Sequence, residues 1–372
     1  MLVGVPREIK DHEYRVGLTP RGVSLLCRNG HRVLVQTGAG ARAGCSDDAY
    51  RAAGANTVAS AADAFAADLI VKVKEIQPGE WDLLHAGQLL FTYLHLAANP
   101  PLTRSLLDKG VTAIAYETVT DTAGGLPLLV PMSIIAGRLA IQMGAWALQT
   151  ANGGSGTLLA GSPGVPPASV VILGGGTVGT NAARIALGMG ADVTILDVNP
   201  VRLRQLDEIF GFRLKTGPAD AGSIAERVSQ ADLLVGSVLI PGKLAPKLVS
   251  RTMLASMVPG SVFVDVAIDQ GGCADTSRPT THSAPLYVEE DVVHCCVTNM
   301  PSAVARTATL ALAQVTLPYV LELADRGVDA IRNSTALADG MQIHRGNVTH
   351  ANVANDLGLP YVPPLQALAA SG

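Results

Sequence analysis

A chain of 372 residues is long enough for two or three domains, each able to bury a core of its own. Its formal charge of −4 and pI near 6.1 exclude the basic footprint of a nucleic-acid binder or of a protein held on an anionic membrane surface. Five cysteines (Cys27, Cys45, Cys273, Cys295 and Cys296) form no C-x-x-C pair, which predicts reduced thiols in a cytoplasmic compartment and neither a disulfide frame nor a metal site. The opening segment, MLVGVPREIKDHEYR, is charged within seven residues and has no apolar signal core. Mean hydropathy is high at +0.31. Between Asp121 and Arg184 only Arg138 is charged, but Pro127, Pro131 and the loop 153–167 interrupt the apolar run. No stretch therefore supplies the ~18–20 uninterrupted apolar residues of a membrane span. Buried helices and an oligomer interface are the expected use of this apolar surface.

In chain order, strands are expected at 2–5, 32–36, 69–73, 89–94 and 111–116. Helices are expected between them at 20–28, 46–53, 61–67 and 102–109. The first helix carries its own punctuation: Thr19 as N-cap, Pro20 in the first helical position and Gly30 past the end. Alternation of short apolar strands with helices implies a parallel, doubly wound sheet. One long helix over 131–150, apolar nearly all round, follows. Then 152–156 and Pro163–Pro167 lead into a second sheet, with strands at 170–173, 192–196, 233–238, 262–267 and 293–297. A helix over 302–326, bent or broken at Pro318, closes that part. The remainder, 328–372, is too short for a domain and is expected to pack back on the N-terminal half. The fold class is thus α/β, with two doubly wound parallel-sheet domains. A dinucleotide-binding Rossmann domain spans 129–305, and a discontinuous, Rossmann-like substrate domain comprises 1–128 and 306–372. The long helices join them as a hinge.

The second sheet opens on the most informative stretch, VVILGGGTVGTNAARIALGMGADVTILD. A β-branched run precedes Gly174-Gly175-Gly176-Thr177-Val178-Gly179, which has the spacing G-x-G-x-x-G; a helical segment and a strand ending in Asp197 follow. Gly174 serves the tight turn, Gly176 the approach of backbone to a pyrophosphate, and Gly179 close helix–strand packing. The helix start offers free N–H groups and a positive dipole end to phosphate. Asp197, 18 residues past Gly179, accepts the ribose hydroxyls of NAD and would repel the 2′-phosphate of NADP.

Ligands of open parallel sheets lie beyond the carboxyl ends of the strands. Polar residues at those ends are Arg7 and Arg15, then Lys72, Lys74 and Glu75, then His95 and Glu117; in the second sheet they are Ser237, Asp269 and Asn299. Each has a plainer reading. Arg15 could be a solvated loop charge, Lys72 or Lys74 a cap on a sheet edge, His95 a core histidine bonded to backbone, and Glu117 a structural partner for a nearby cation. Taken together they have a chemical logic. A guanidinium or ammonium suits the carboxylate of a small α-keto or α-amino acid, and an imidazole suits proton transfer at its carbonyl or amine. A carboxylate such as Asp269 can orient water or ammonia. Hydride transfer would then take place in an interdomain cleft, on closure.

The segments GVPREIK, EYRVGLTP, LIVKVKE, FTYLHLA, VILGGGTVG, VDVAIDQGGC, SRPTTH, NMPSAV and TLPYVLELAD resemble those of the L-alanine dehydrogenases, in the same order from residue 3 to about residue 363. The resemblance implies reversible oxidative deamination of L-alanine to pyruvate and ammonia with NAD, by a homohexamer. It implies that Arg15 and Lys74 hold the substrate carboxylate and carbonyl, that His95 is the acid/base at C2, and that Asp269 handles the water and amine steps. For the cofactor it points to Ser133, Thr177, Val178, Asp197, Arg202, Ser237, Val238, Leu239, Val266, Ala267, Ile268, Asp269, Arg278, Val297, Thr298, Asn299 and Met300. Ala219 stands where relatives tend to carry a serine near the adenosine. Arg326 stands where some carry a histidine, which argues against a metal there and for a Glu322–Arg326 helical ion pair. Two other classes compete. One is the NAD-binding subunit of a proton-translocating transhydrogenase, which shares this fold; the other is a non-enzymatic NAD sensor, which would not need Arg15, Lys74 and His95 together.

Overall fold

A computed structural model describes residues 1–238 and 244–370 of the chain. It divides into two compact units: Met1–Met132 with Ser302–Gly372, and Ser133–Pro301. In the first unit six strands come early: β1 (Leu2–Val5), β2 (Arg32–Gln36), β3 (Asn56–Val58), β4 (Leu69–Val71), β5 (Leu89–Thr92) and β6 (Thr112–Ala115). They lie side by side as β3-β2-β1-β4-β5-β6, all parallel. That is the doubly wound order with its switch point between β1 and β4. Strands β4, β5 and β6 are buried along their whole length, as expected of runs of Leu, Ile, Val and Ala covered by helices on both faces.

Local signals place the helices. The Thr19 hydroxyl accepts from the Gly22 N–H at 3.4 Å and starts the helix Pro20–Arg28, in the register expected. Ser46 caps Asp47–Ala52 in the same way. The helix expected from 102 begins two residues earlier, at Pro100, because the Asn99 side chain accepts from the Leu102 N–H at 3.3 Å and two prolines fit the first turn.

The second unit holds β7 (Ser169–Leu173), β8 (Asp192–Asp197), β9 (Leu214–Pro218), β10 (Leu233–Gly236), β11 (Val262–Asp265), β12 (Leu286–Glu289) and β13 (Val292–Cys295). Their order is β9-β8-β7-β10-β11-β13-β12. The switch point falls between β7 and β10, and only β12 runs antiparallel to its neighbour. Within the helix Val130–Ala147, Gly144 packs against the Leu233 side chain at the start of β10.

The chain then returns to the first unit. A helix runs from Ala305 to Arg326 and continues through Pro318, so of the bend or break expected there the break does not occur. Residues Leu312, Thr316, Val320 and Leu323 are buried on both sides of that proline, so packing holds the turn despite one missing hydrogen bond. The helical stretch Met300–Arg326 is, by length and composition alone, apolar enough to cross a membrane, where the sequence reading found no such stretch. Arg306 interrupts the apolar run, and the buried residues just named are spent on the first unit's interior. After it come β14 (Met341–His344) and β15 (Asn347–Val348). Strand β14 pairs antiparallel with β6, placing His344 opposite Thr112, and β15 folds back on β14. Ile343, Val348 and Val353 from this tail share one core with Phe65, Ile70, Leu90, Leu94 and Leu106. Both sheets are thus parallel in their centres and mixed at their edges, where purely parallel sheets were expected.

Candidate active site

In the second unit the glycine loop leaves β7 and enters the helix Thr177–Gly188. Gly174 has φ +96°, a conformation open to glycine. At Gly179 an added Cβ would lie 1.9 Å from the Gly174 carbonyl oxygen, so helix and loop touch only because no side chain stands there. At Gly176 the same test meets nothing within 4 Å. No side chain caps the first turn of the helix, and its leading N–H groups face that open space. An uncapped helix start beside open space can receive an anionic group such as a diphosphate.

Two side chains brace the loop. Asp197, at the end of β8, accepts the Gly175 N–H on Oδ2 at 2.6 Å and the Asn199 N–H on Oδ1 at 2.8 Å. A carboxylate has about four acceptor positions, so roughly two remain for ribose hydroxyls. The Arg202 guanidinium donates to the Gly175 carbonyl at 2.6 Å, to Thr180 Oγ1 at 2.6 Å and to Gln205 Oε1 at 2.9 Å. On the other side of the switch point Ser237 shares its hydroxyl proton between the carbonyls of Leu173 and Gly174, 2.8 Å from each. Val238 is half-buried beyond it, and Leu239 lies outside the described residues.

The loop after β11 is built by Asp265, which sequence reasoning passed over in favour of Asp269. Asp265 is fully buried; it accepts the Ala267 N–H at 3.0 Å, the Cys273 N–H at 2.8 Å and the Ser277 hydroxyl at 2.6 Å. Its bonds fold the turn Val266–Gln270, which buries Ala267 and Ile268, leaves Val266 half-buried and exposes Asp269. An acid closing an apolar strand, as in VFVD, was the available signal. Arg278 is exposed, with its guanidinium 3.8 Å above the Tyr287 ring. After β13, Val297 and Met300 are buried, Thr298 donates its N–H to the Thr280 carbonyl at 3.2 Å, and Asn299 is left-handed at φ +60°. Ser133 sits half-buried in the first turns of Val130–Ala147. Ala219 follows the edge strand β9, with its N–H on the Asp197 carbonyl at 3.1 Å.

In the first unit, Arg15, Lys74 and His95 follow β1, β4 and β5, which are adjacent in the sheet. The structure therefore gathers these three at neighbouring strand ends, where strands lie about 4.8 Å apart. Arg15 is 2% exposed, so it is no solvated loop charge. Glu13, equally buried, accepts from Arg15 Nε at 2.7 Å and from Nη2 at 2.5 Å, while Nη1 points at Met132 Sδ at 3.0 Å. Burial opposes the charge on Arg15, but the hydrogen bonds and charge of Glu13 hold its pKa above the usual value. Glu13 was not read from the sequence; within DHEYR its only signal was an i,i+2 acid.

Lys72 and Lys74 part company. Lys72 is fully buried in a central strand end and bridges Glu8 at 3.1 Å and Glu80 at 2.8 Å, so it caps no sheet edge. Those two carboxylates outweigh the burial that disfavours its charge and raise its pKa. Glu8 also accepts the N–H groups of Val73 at 2.6 Å and Lys74 at 3.2 Å, which fixes the backbone that carries Lys74. His95 is exposed and left-handed (φ 51°), with its ring stacked on Tyr93 at 6.0 Å, so it is not a core histidine. Glu117 accepts the N–H groups of Leu94 and His95. Arg7 is exposed and Glu75 pairs with Lys10 at 2.5 Å. The expected Glu322–Arg326 pair is not among the ion pairs of the described residues; exposed i,i+4 pairs gain little in water, and the next acid, Asp325, is engaged by His31 at 2.8 Å. Among the described residues no three His, Cys, Asp or Glu side chains are grouped to hold a metal ion.

Comparison with known proteins gives a consistent result. Two family profiles match: the alanine dehydrogenase/PNT N-terminal domain over residues 4–136 and the C-terminal domain of the same family over residues 140–351. An alanine dehydrogenase of Halomonas elongata is 55% identical over 364 residues, covering 97% of this chain and 98% of that protein. A solved L-alanine dehydrogenase superposes with a TM-score of 0.94 at 50% identity, covering 96% of this chain and 99% of the other. A transhydrogenase from Sinorhizobium meliloti matches at a TM-score of 0.79 and 26% identity, over 94% of this chain and 99% of that one.

Proposed function

This chain belongs to the alanine dehydrogenase/PNT family, and on that basis we propose that it is an NAD-dependent L-alanine dehydrogenase, interconverting L-alanine with pyruvate and ammonia. The observation that carries the reading is the grouping of Arg15, Lys74 and His95 at the ends of three adjacent parallel strands. The bound nicotinamide supplies the hydride acceptor for C2 of alanine. The chain's own groups do the rest. Arg15, kept charged by Glu13, takes the substrate carboxylate through its guanidinium. Lys74 neutralises charge at the substrate carbonyl. His95 gives and takes the proton at the C2 oxygen or nitrogen, a task suited to an exposed imidazole. Asp269 orients the water and ammonia that exchange there.

The glycine cradle, with Gly174, Gly176, Thr177, Val178 and Gly179, receives the diphosphate, and Asp197 the adenosine ribose. Arg202 and Ser237 brace this loop, and on this reading Val238, Val266, Ala267, Ile268, Asp269, Val297, Thr298, Asn299, Met300, Ser133 and Arg278 complete the cofactor site. Asp197→Ala removes the charge that excludes a 2′-phosphate and also a bond that holds the loop. We expect both cofactors to weaken, NADH more than NADPH, so that the preference falls by about tenfold or more; an unmoved kcat/KM ratio assigns cofactor choice to other groups. The reading further places the enzyme in the cytoplasm as a homohexamer. Family resemblance supports this, as do the exposed Val130, Trp146 and Leu310 on two long apolar helices.

The direct test is reduction of NAD by L-alanine at alkaline pH, followed through the absorbance of the reduced nicotinamide, which should rise with alanine and not with D-alanine. No signal with alanine, together with hydride exchange between NADH and an NADP analogue, would replace this reading by the transhydrogenase one.

A further inference from the structure

Glu117 stands in the short turn Tyr116–Thr118 that follows β6, beside the end of β5. Read as a partner for a cation, it also receives backbone N–H groups. Its Oε1 accepts the His95 N–H at 2.6 Å and the Leu94 N–H at 3.1 Å, and its Oε2 lies 3.2 Å from the same Leu94 nitrogen. These two N–H groups flank Leu94, so the carboxylate fixes the peptide plane from which the left-handed His95, at φ 51° and ψ 42°, departs. Histidine enters that region at a steric cost, and nothing in the side chain of His95 bonds its own backbone to offset it. The compensation comes from Glu117. The imidazole that results is half exposed, stacked within 8° of parallel on Tyr93, whose own hydroxyl is tied to the Leu128 carbonyl at 2.7 Å. His95 Nδ1 is 3.9 Å from Glu117 Oε1, beyond hydrogen-bond reach. The grip is therefore on the backbone and not on the ring.

We propose that Glu117 is a positioning residue: its carboxylate anchors the peptide that carries the left-handed His95 and so aims the imidazole at substrate. This rests on the reading that His95 carries the proton. A residue relaxed from this region swings its Cα–Cβ bond to a different side of the chain, and sites that lose an orienting contact lose rate before affinity. The side chains that flank His95 have an anchor besides Glu117, since Leu94 and Leu96 are both buried in the core.

The test is a double-mutant cycle in the full-length enzyme, read by steady-state kinetics of pyruvate amination and by fluorescence titration of NADH. Glu117→Ala should lower kcat by about 30–100-fold and leave the NADH Kd and pyruvate KM within about threefold. Glu117→Gln, whose amide oxygen can still accept both N–H groups, should stay within about fivefold of the parent. In a His95→Ala background Glu117→Ala should cost less than about twofold more, because the group it positions is gone. Should Glu117→Ala fail to fold, Glu117→Asp takes its place, keeping the charge but shortening the reach, with about tenfold expected. A kcat within threefold of the parent for both Glu117→Ala and Glu117→Asp, or a loss that adds fully to that of His95→Ala, overturns the proposal. If His95→Ala itself turns over normally, it is the assignment of His95 that fails, which the same data set reveals.

Discussion

Replacing His95 by Ala should lower kcat by about 10²–10⁴ and leave NADH affinity within about twofold, as for the loss of a proton donor and acceptor at the reacting carbon. The large figure is expected because an imidazole is the side chain best matched to giving and taking a proton near neutral pH. Clean interpretation is expected because the side chain is exposed while Leu94 and Leu96 carry the packing on either side. Alanine inherits the same left-handed backbone, so folding stability should change little. His95→Asn is the control, since asparagine tolerates that conformation and cannot act as the acid or base; it should be as slow as the alanine variant. Pre-steady-state amination of pyruvate separates the chemical step from product release. Turnover near that of the parent in both variants removes His95 from the mechanism.

Gly179→Ala should raise the dinucleotide Kd by about 100-fold or more and lower stability by about 2–3 kcal/mol. The new methyl would stand 1.9 Å from a backbone oxygen and 2.8 Å from Ser237 Oγ, and neither can give way cheaply. Ser237 is itself fastened to the carbonyls of Leu173 and Gly174, so relief must come from moving the turn that receives the diphosphate. Gly188→Ala, on the same helix but with nothing within 4 Å of the added Cβ, should be neutral or slightly stabilising. Calorimetric melting and NADH titration of the pair discriminate. Parent-like binding in Gly179→Ala would mean that the diphosphate is received somewhere else.

Signals confined to a few residues were legible in the sequence. Thr19-Pro20 and Gly30 bound a helix because capping is decided within one turn, and β1 and β2 read directly because buried parallel strands are unbroken apolar runs. Edge strands were not: β3 is the three residues Asn56–Val58, β9 contains a glycine and a proline, and β15 has two residues, so none has the length or period to announce itself. Strand β14 was hidden for another reason, since its MQIH becomes a strand only when β6 is there to pair with it. The candidate groups follow the same division. Arg15, Lys74, His95, Asp197 and Asp269 could be picked by chemistry at strand ends. Glu13, Glu8, Asp265 and Glu117 act on other residues through bonds that span from 2 to 66 positions, and a residue type alone does not disclose its partner. Burial was the missing datum: Glu13 and Asp265 look like surface acids until their surroundings are known.

The pairing of β14 with β6 sets an order of events on the ribosome. Ala115 and Met341 are 226 positions apart, so at about 5–20 residues per second the nascent chain waits about 11–45 s for the strand that covers that flank. Over that interval the whole of Ser133–Pro301, which is contiguous, can be synthesised and can fold. The half of the protein translated first is thus the half completed last, carrying an open apolar border through most of its own synthesis.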